Sequence, residues 1–245
     1  MSQDSRTLND NDFVDALKVS IQKWKDGKVH GIWFKVSLQD SRFIAFLADE
    51  GFVFHHAQPD YVMMSRWLPQ HIPCSLPRYP FMQIGCGGLV VDDEGRVLLM
   101  REKKGFYLGW KYPGGLADPN ENIYETAARE VKEETGVDVE GIAVLSIRQI
   151  AAAKWKDTND LYWLCVMRPR KDGNVKVQAC PHETAEARWM TRKEISELPE
   201  EMFHMTLHDS LKQYDEWVAR GGMGLRMRTE HSPFRKMDMH VFIVD

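Results

Sequence analysis

The stretch Gly115 to Val137, GLADPNENIYETAAREVKEETGV, decides the reading of this chain. Its spacing is G-x5-E-x7-R-E-V-x-E-E-x-G-V, carried by Gly115, Glu121, Arg129, Glu130, Val131, Glu133, Glu134, Gly136 and Val137. A helix advances about 100° per residue, so Glu130, Glu133 and Glu134 share roughly one third of its circumference. Tyr124, Ala127, Ala128, Val131 and Thr135 form the adjoining stripe, suited to packing on a sheet. Asn120 is read as the N-cap, and Gly136 as the left-handed residue that ends the helix. Carboxylates crowded on one arc repel one another, each close pair by about 1–4 kcal/mol. A solvated, salt-bridged face would set cations among them, yet only Arg129 and Lys132 are near. Binding of a divalent cation is the better reading. All-oxygen ligands select a hard ion, Mg2+ first and Mn2+ as a substitute.

The chain has 245 residues, 28% charged and 43% hydrophobic, an ordinary globular balance with length for one large or two modest domains. A formal net charge of −4 gives bulk electrostatics no pull toward nucleic acid or a membrane surface. An anionic substrate needs local cations instead, and Arg101, Lys103, Lys104, Lys111, Arg148, Lys154 and Lys156 flank the acidic run. No apolar run reaches the ~18 residues that a bilayer span requires, and the start, MSQDSRTLNDND, is unlike a presequence. Cys74, Cys86, Cys165 and Cys180 show no C-x-x-C pairing and read as reduced thiols of a cytoplasmic protein.

Asp12 is expected to cap a first helix with Phe13, Leu17, Ile21 and Trp24 on one face. GIWFKVS (Gly31 to Ser37) reads as a strand. A short helix with Phe43, Phe46 and Leu47 follows, then GFVFHHA (Gly51 to Ala57) and YVMMSRWL (Tyr61 to Leu68) as paired strands, with His55-His56 closing the first of them. Pro69, Pro73, Pro77 and Pro80 oppose regular structure and mark a domain boundary. Beyond it, β runs cover Gln83 to Val91 and Arg96 to Arg101 around an Asp93-Glu94-Gly95 turn. Further strands are expected at Val139 to Ile150, Asp160 to Met167, Val175 to Gln178 and Ala187 to Met190. Thr191 and Glu194 make a capping box, Thr206 to Ala219 a helix, and Met239 to Val244 a strand. Arg220 to Lys236, rich in arginine, reads as an exposed loop. His204 and His208 have a metal-compatible spacing but no acidic third ligand.

The acidic run resembles the Nudix box with no position missing, and residues 78–200 resemble a Nudix hydrolase domain. The whole chain is similar to the subfamily of the antisense basic fibroblast growth factor Nudix proteins and the plant ADP-ribose/NADH pyrophosphatases. SRFIA (Ser41 to Ala45), GFVFHHA, LPRY (Leu76 to Tyr79), WKYPGG (Trp110 to Gly115) and LSIRQ (Leu145 to Gln149) carry that likeness. The resemblance implies an α/β fold: a Nudix α/β/α sandwich with a mixed sheet over residues 74–245, preceded by a small GNAT-like α+β pre-Nudix domain over 1–73. The first domain, lacking a glycine loop for acetyl-CoA, would cover the site or mediate homodimerisation.

The resemblance also implies chemistry. Glu130 and Glu134 would hold Mg2+ with help from Glu133 and the carbonyl oxygen of Gly115, and Arg129 would hold the glutamates in place. Glu133 or Glu183 would be the general base. Arg101, Tyr112 and Arg148 are the substrate-binding candidates, with Phe106, Trp110 and Trp155 as further aromatics that could stack on adenine. The implied reaction is cleavage of a nucleoside diphosphate linked to another group, with ADP-ribose and NADH as first candidates and AMP as product. The chain departs downstream of the box. The proline of the ADP-ribose subgroup is Ala151 here, and of the subfamily's F-G-K-S-D-L segment only Asp160-Leu161 match cleanly. The array of dedicated NADH pyrophosphatases and the coenzyme A signature are absent. A ligand-binding or regulatory protein with little turnover, and a hydrolase of capped RNA using the basic tail, are the alternative readings.

Overall fold

The computed structural model describes residues 9–151, 158–202, 207–234 and 236–244. The expectations placed on Lys154, Trp155, Lys156, Asp157, His204 and Thr206 lie outside them. The chain divides into two compact units, Met1–Pro80 and Phe81–Asp245, so the division falls at the last proline of the proline-rich stretch.

The first unit pairs helix α1 (Asp10–Asp26) with a three-stranded antiparallel sheet of β1 (Gly31–Ser37), β2 (Val53–Gln58) and β3 (Tyr61–Trp67), in the order β1-β3-β2. Phe13, Leu17 and Ile21 of α1 are buried with Ile32, Val36, Phe43, Leu47, Phe52 and Met64. The cap of α1 is Asn9, which accepts from Asp12 N, and not Asp12. Asp12 sits in the first turn, where its charge complements the helix dipole, and accepts from Asn9 Nδ2 at 2.7 Å. The short helical segment divides into a 3-10 turn (Leu38–Phe43) and α2 (Ile44–Asp49). His55 and His56 lie within β2, not at its end, and the register shifts between Phe54 and His56.

The second unit is built on a six-stranded mixed sheet ordered β11-β10-β7-β8-β4-β6. Its strands are β4 (Met82–Val90), β6 (Gly114–Leu116), β7 (Val139–Ile150), β8 (Asn159–Pro169), β10 (Leu225–Ser232) and β11 (Met237–Val244), and β4 runs parallel to β8. β5 (Val97–Glu102) and β9 (Thr184–Met190) form a separate antiparallel pair. The Asp93-Glu94-Gly95 turn is present, but β4 and β5 meet only at a Val91–Val97 bridge because the chain crosses there from one sheet to the other.

Side chains alternate across a strand, and that alternation divides the core. Cys86, Val90 and Cys165 bury against helix α3 (Ile123–Thr135) with Ala127 and Val131. Leu89 and Leu164 bury on the opposite face with Ile195 of α4 (Arg192–Ser196) and Leu207 and Leu211 of α5 (Leu207–Ala219). Helices on both faces of a mixed sheet make the expected α/β/α sandwich. The capping box at Thr191 and Glu194 is formed. Among the described residues no helix is long and apolar enough to cross a membrane.

Two expectations for this unit fail. Val175 to Gln178 is no strand, because its polar groups are satisfied locally: Asn174 Nδ2 donates to Gly136 O and Lys176 O, and Gln178 N donates to Thr135 O. Arg220 to Lys236 is no simple loop, since it contains β10. Leu225, Met227 and Thr229 alternate there with Arg226 and Arg228, and a period of two lets a strongly basic stretch pair along its length with β11.

Candidate active site

Helix α3 begins at Asn122, not Asn120. The Asn122 side chain accepts from Tyr124 N and Glu125 N, while Glu125 accepts from Asn122 N, a complete capping box. Asn120 has φ 73°, a left-handed position that Asn tolerates and that turns the chain ahead of the cap. The helix ends as expected at Gly136, φ 76°. Ile123, Ala127, Val131 and Thr135 are buried, with Tyr124 and Ala128 packed beside them. The glutamate arc is thereby aimed at β6 and the loop before it.

Arg129 organises one side of that arc. Its guanidinium donates to Glu121 through Nε (2.8 Å) and Nη2 (3.0 Å), to Glu130 (2.8 Å), to Glu133 (3.2 Å) and to the Leu116 carbonyl (2.9 Å). The hydrogen bonds from Arg129 hold the Glu121 carboxyl down at about pKa 2. Thr126 Oγ1 donates to the same carboxylate at 3.0 Å. Burial pushes the Glu130 carboxyl up despite Arg129, with Glu133 and Glu183 adding repulsion. The Glu133 side chain is 57% exposed. Lys132, the other nearby cation, is drawn away to Asp138 at 2.7 Å.

Glu134 lies in a different environment. The residue is 6% exposed, and its Oε2 accepts from Gly114 N at 2.8 Å. Burial pushes its carboxyl up to about 7, opposed by the charge of Lys111 and the Gly114 hydrogen bond and reinforced by Glu130 and Glu102. A Cβ on Gly115 would lie 2.5 Å from Glu130 Oε1, so any larger residue there would push the Glu130 carboxylate aside.

Glu183 is carried by the turn entering β9. Thr184 Oγ1 and Cys180 N both donate to the Glu134 carbonyl, at 2.9 and 3.1 Å, and Lys103 N donates to Glu183 O at 2.9 Å. These bonds tie the turn to the C-terminal end of α3. Residue Glu183 thus belongs to the same neighbourhood as Glu130, through charge and without a direct hydrogen bond to it.

Beside Gly114 opens a cavity of about 190 Å³ lined by Lys111, Tyr112, Ser146, Arg148, Tyr162 and Ser210, among others. Tyr112 and Arg148 line this cavity, Tyr112 from the core, where it is 7% exposed and its hydroxyl donates to Leu207 O at 3.3 Å. Arg101 is not among the lining residues: it donates to Leu108 O at 3.0 Å, pairs with Glu186 at 3.6 Å and packs over Trp110. Trp110 is 2% exposed and belongs to the core, whereas Phe106 is fully exposed. Ser146, Tyr162 and Ser210 were missed as lining residues. The signal for Ser146 is its spacing of two from Arg148 on β7, legible only once the strand's facing is known.

The donor set suits a hard cation: carboxylates and a backbone carbonyl, with no imidazole or thiol hydrogen-bonded to these carboxylates among the described residues. Among the described residues no three acidic, histidine or cysteine groups converge on one point, because Arg129 draws Glu130 and Glu133 while Gly114 holds Glu134. Cys86 and Cys165, buried beneath α3, are free thiols; burial pushes Cys86 up to about 12 and raises Cys165 as well, so both stay neutral packing groups.

Comparison with known proteins agrees with this geometry. A family profile described as "NUDIX domain" matches residues 82–210, and one described as "Nudix hydrolase domain" matches residues 1–68. "Nudix hydrolase 5" of Arabidopsis thaliana is 33% identical over 225 residues, covering 88% of this chain and 72% of that protein. Human "Nucleoside diphosphate-linked moiety X motif 6" is 34% identical over 192 residues, covering 75% of this chain and 58% of that protein. A solved NUDIX hydrolase from Nitrosomonas europaea aligns with a TM-score of 0.48 at 21% identity, covering 69% of this chain and 88% of that one. With a profile match spanning the acidic helix, and relatives aligned over most of its length, the chain belongs to the Nudix hydrolases, enzymes that cleave pyrophosphate linkages in nucleoside diphosphates joined to another group.

Proposed function

We propose that this protein hydrolyses ADP-ribose, NADH or both with Mg2+, releasing AMP, and that Mn2+ substitutes for Mg2+. One observation carries the reading: the buried Glu134 carboxylate is bonded to Gly114 N, and Gly114 lines a cavity shared with Lys111, Tyr112 and Arg148. A carboxylate helix beside a cavity with cations and aromatics suits a substrate with a diphosphate at one end and a ring at the other. Glu130, Glu134, Glu133 and the Gly115 carbonyl oxygen would hold the ion. An ion held there would supply positive charge against the diphosphate and a site for the attacking water.

The side chains have separable tasks in this reading. Arg129 keeps Glu130 and Glu133 oriented. Tyr112 and Arg148 position the substrate, Tyr112 by its ring and Arg148 by its charge. Arg101, turned to Leu108 and Glu186, supports the wall through Trp110. The proton of the attacking water goes to Glu133 or Glu183. The exposure of Glu133 keeps it open to solvent, and the anchored turn brings Glu183 into the charge field of Glu130. The first unit, matched in its own right over residues 1–68, is proposed to be the GNAT-like pre-Nudix domain.

The test is product analysis by anion-exchange chromatography. ADP-ribose, NADH, FAD, coenzyme A, diadenosine polyphosphates and capped RNA are incubated with Mg2+ or Mn2+, with Glu134→Gln as the blank. AMP from ADP-ribose or NADH, absent from the blank, is the expected result. Cleavage of other substrates only would overturn the assignment, and binding without turnover across the panel would favour a regulatory protein.

A further inference from the structure

The cavity beside the glutamates is bordered by cations of different standing. Arg148 lies at 3.6 Å from Asp160 and 5.0 Å from the Tyr162 ring centroid, on the β7 side. Lys111 is on the glutamate side. Its backbone is fixed against buried Met100, donating to Met100 O at 3.0 Å and accepting from Met100 N at 2.9 Å. Three residues on, Gly114 both lines the cavity and donates to Glu134. The Lys111 ammonium pairs with Glu102, and its charge also acts on Glu134. Among the described residues, Lys111 is therefore a cation that lines the cavity and also acts on the acidic helix. Arg101, the cation nearest it on β5, is engaged with Leu108, Glu186 and Trp110.

We propose that Lys111 is the diphosphate-binding cation of this site, exchanging Glu102 for a phosphate oxygen of the ligand. The assignment rests on the reading of the chain as a diphosphate hydrolase. A ligand that spans carboxylates and cavity must carry its own negative charge past Glu134, and a fixed positive charge at that crossing offsets the repulsion. A lysine ammonium is a compact charge on a flexible stem, so it can leave Glu102 for a phosphate oxygen while its backbone stays pinned to β5. Glu102 then acts as the competing anion that sets how tightly a diphosphate must bind.

The experiment is isothermal titration of the full chain with inorganic pyrophosphate in the presence of a chelator, so that neither the nucleoside nor a metal ion contributes. Lys111→Met is expected to weaken pyrophosphate binding about tenfold or more, the scale of a lost charge-assisted hydrogen bond. Lys111→Arg should stay within about threefold, since the charge and donor remain. Lys212→Met, an exposed lysine on α5 outside the cavity lining, removes the same charge from the surface and should match the wild type. If Lys111→Met fails to fold, the 15Nζ resonance of Lys111 in the wild type, assigned through Lys111→Arg, must move on adding pyrophosphate. Pyrophosphate affinity in Lys111→Met within twofold of wild type, no pyrophosphate binding by the wild type, or an unmoved resonance would overturn the proposal. Loss of binding in Lys111→Met from a protein that leaves ADP-ribose and NADH uncleaved would support the Lys111 assignment while removing the substrate reading.

Discussion

Two sides of the acidic segment hold carboxylates of the same kind under opposite conditions. On the Arg129 side, Glu121, Glu130 and Glu133 share one guanidinium. On the other side Glu134 is buried, with a backbone N–H and no hydrogen bond to a cation. A shared guanidinium makes ionisation easy, and burial makes it costly. The difference teaches that residues four apart on a helix can repel one another and still sit in different environments, Glu130 beside Arg129 and Glu134 buried on Gly114 N. Arg129 stabilises the arrangement, while Glu134 is held as a poorly compensated charge that only a strong positive partner would satisfy.

The sharpest way to break the comparison is Glu134→Gln. The amide oxygen still accepts from Gly114 N, so the fold should persist while turnover drops by about 10³-fold or more, roughly 4 kcal/mol of barrier. Single-turnover kinetics alongside a thermal melt will check this, and activity within a few fold of wild type would end the metal-ligand assignment. Arg129→Ala attacks the opposite side. It leaves Glu121 and Glu130 without their shared partner and should cost about 2 kcal/mol of stability and about 10–100-fold in metal affinity or activity. A melt and a Mn2+ titration read the two effects separately, and an unchanged affinity would make Arg129 a stabilising residue only.

The Arg129 side should also have its own pH signature. The folded Glu121 carboxyl lies at about 2, below its ordinary 4.5, so the ion pair contributes fully above pH 4.5. That contribution is lost as pH falls from 4.5 toward 2. Denaturant melts across this window should show a steeper acid loss in wild type than in Glu121→Gln; parallel curves would contradict the pairing. The smallest effect concerns where the helix starts. Asn122→Ala should cost about 1 kcal/mol, while Asn120→Gly keeps the positive φ and should be nearly neutral. Equal losses in thermal denaturation would mean that the capping box contributes nothing.

The helix itself was legible because its period is local: the buried stripe of Ala127, Val131 and Thr135 follows from 3.6 residues per turn. Its first residue was not. Asn120 and Asn122 are equally good caps as letters, and the choice came from Glu125 reaching back to Asn122 N. β1 and β7 were readable as β-rich runs, and their bounds match the expected ones. β10 was obscured by arginines that a strand tolerates when every second position faces solvent. Val175 to Gln178 looked like a strand by composition, yet its backbone groups bond to Asn174 and Thr135 in place of a strand. Of the three substrate-binding candidates, Tyr112 and Arg148 line the cavity, while Arg101 is engaged with Leu108, Glu186 and Trp110; contact of any of them with substrate belongs to the proposed function.

Sequence by itself determined the acidic helix, its left-handed stop at Gly136 and the membership in a diphosphate-cleaving family. Each depends on residue type and short spacing, which the chain carries with it. Tertiary structure alone decided that Glu134 is buried while Glu133 is exposed, that Lys111 borders both carboxylates and cavity, and that Ser146, Arg148 and Tyr162 meet across two strands. Those facts depend on which strand lies beside which and on the dielectric that packing creates around each charge, and neither is a property of any local run of residues.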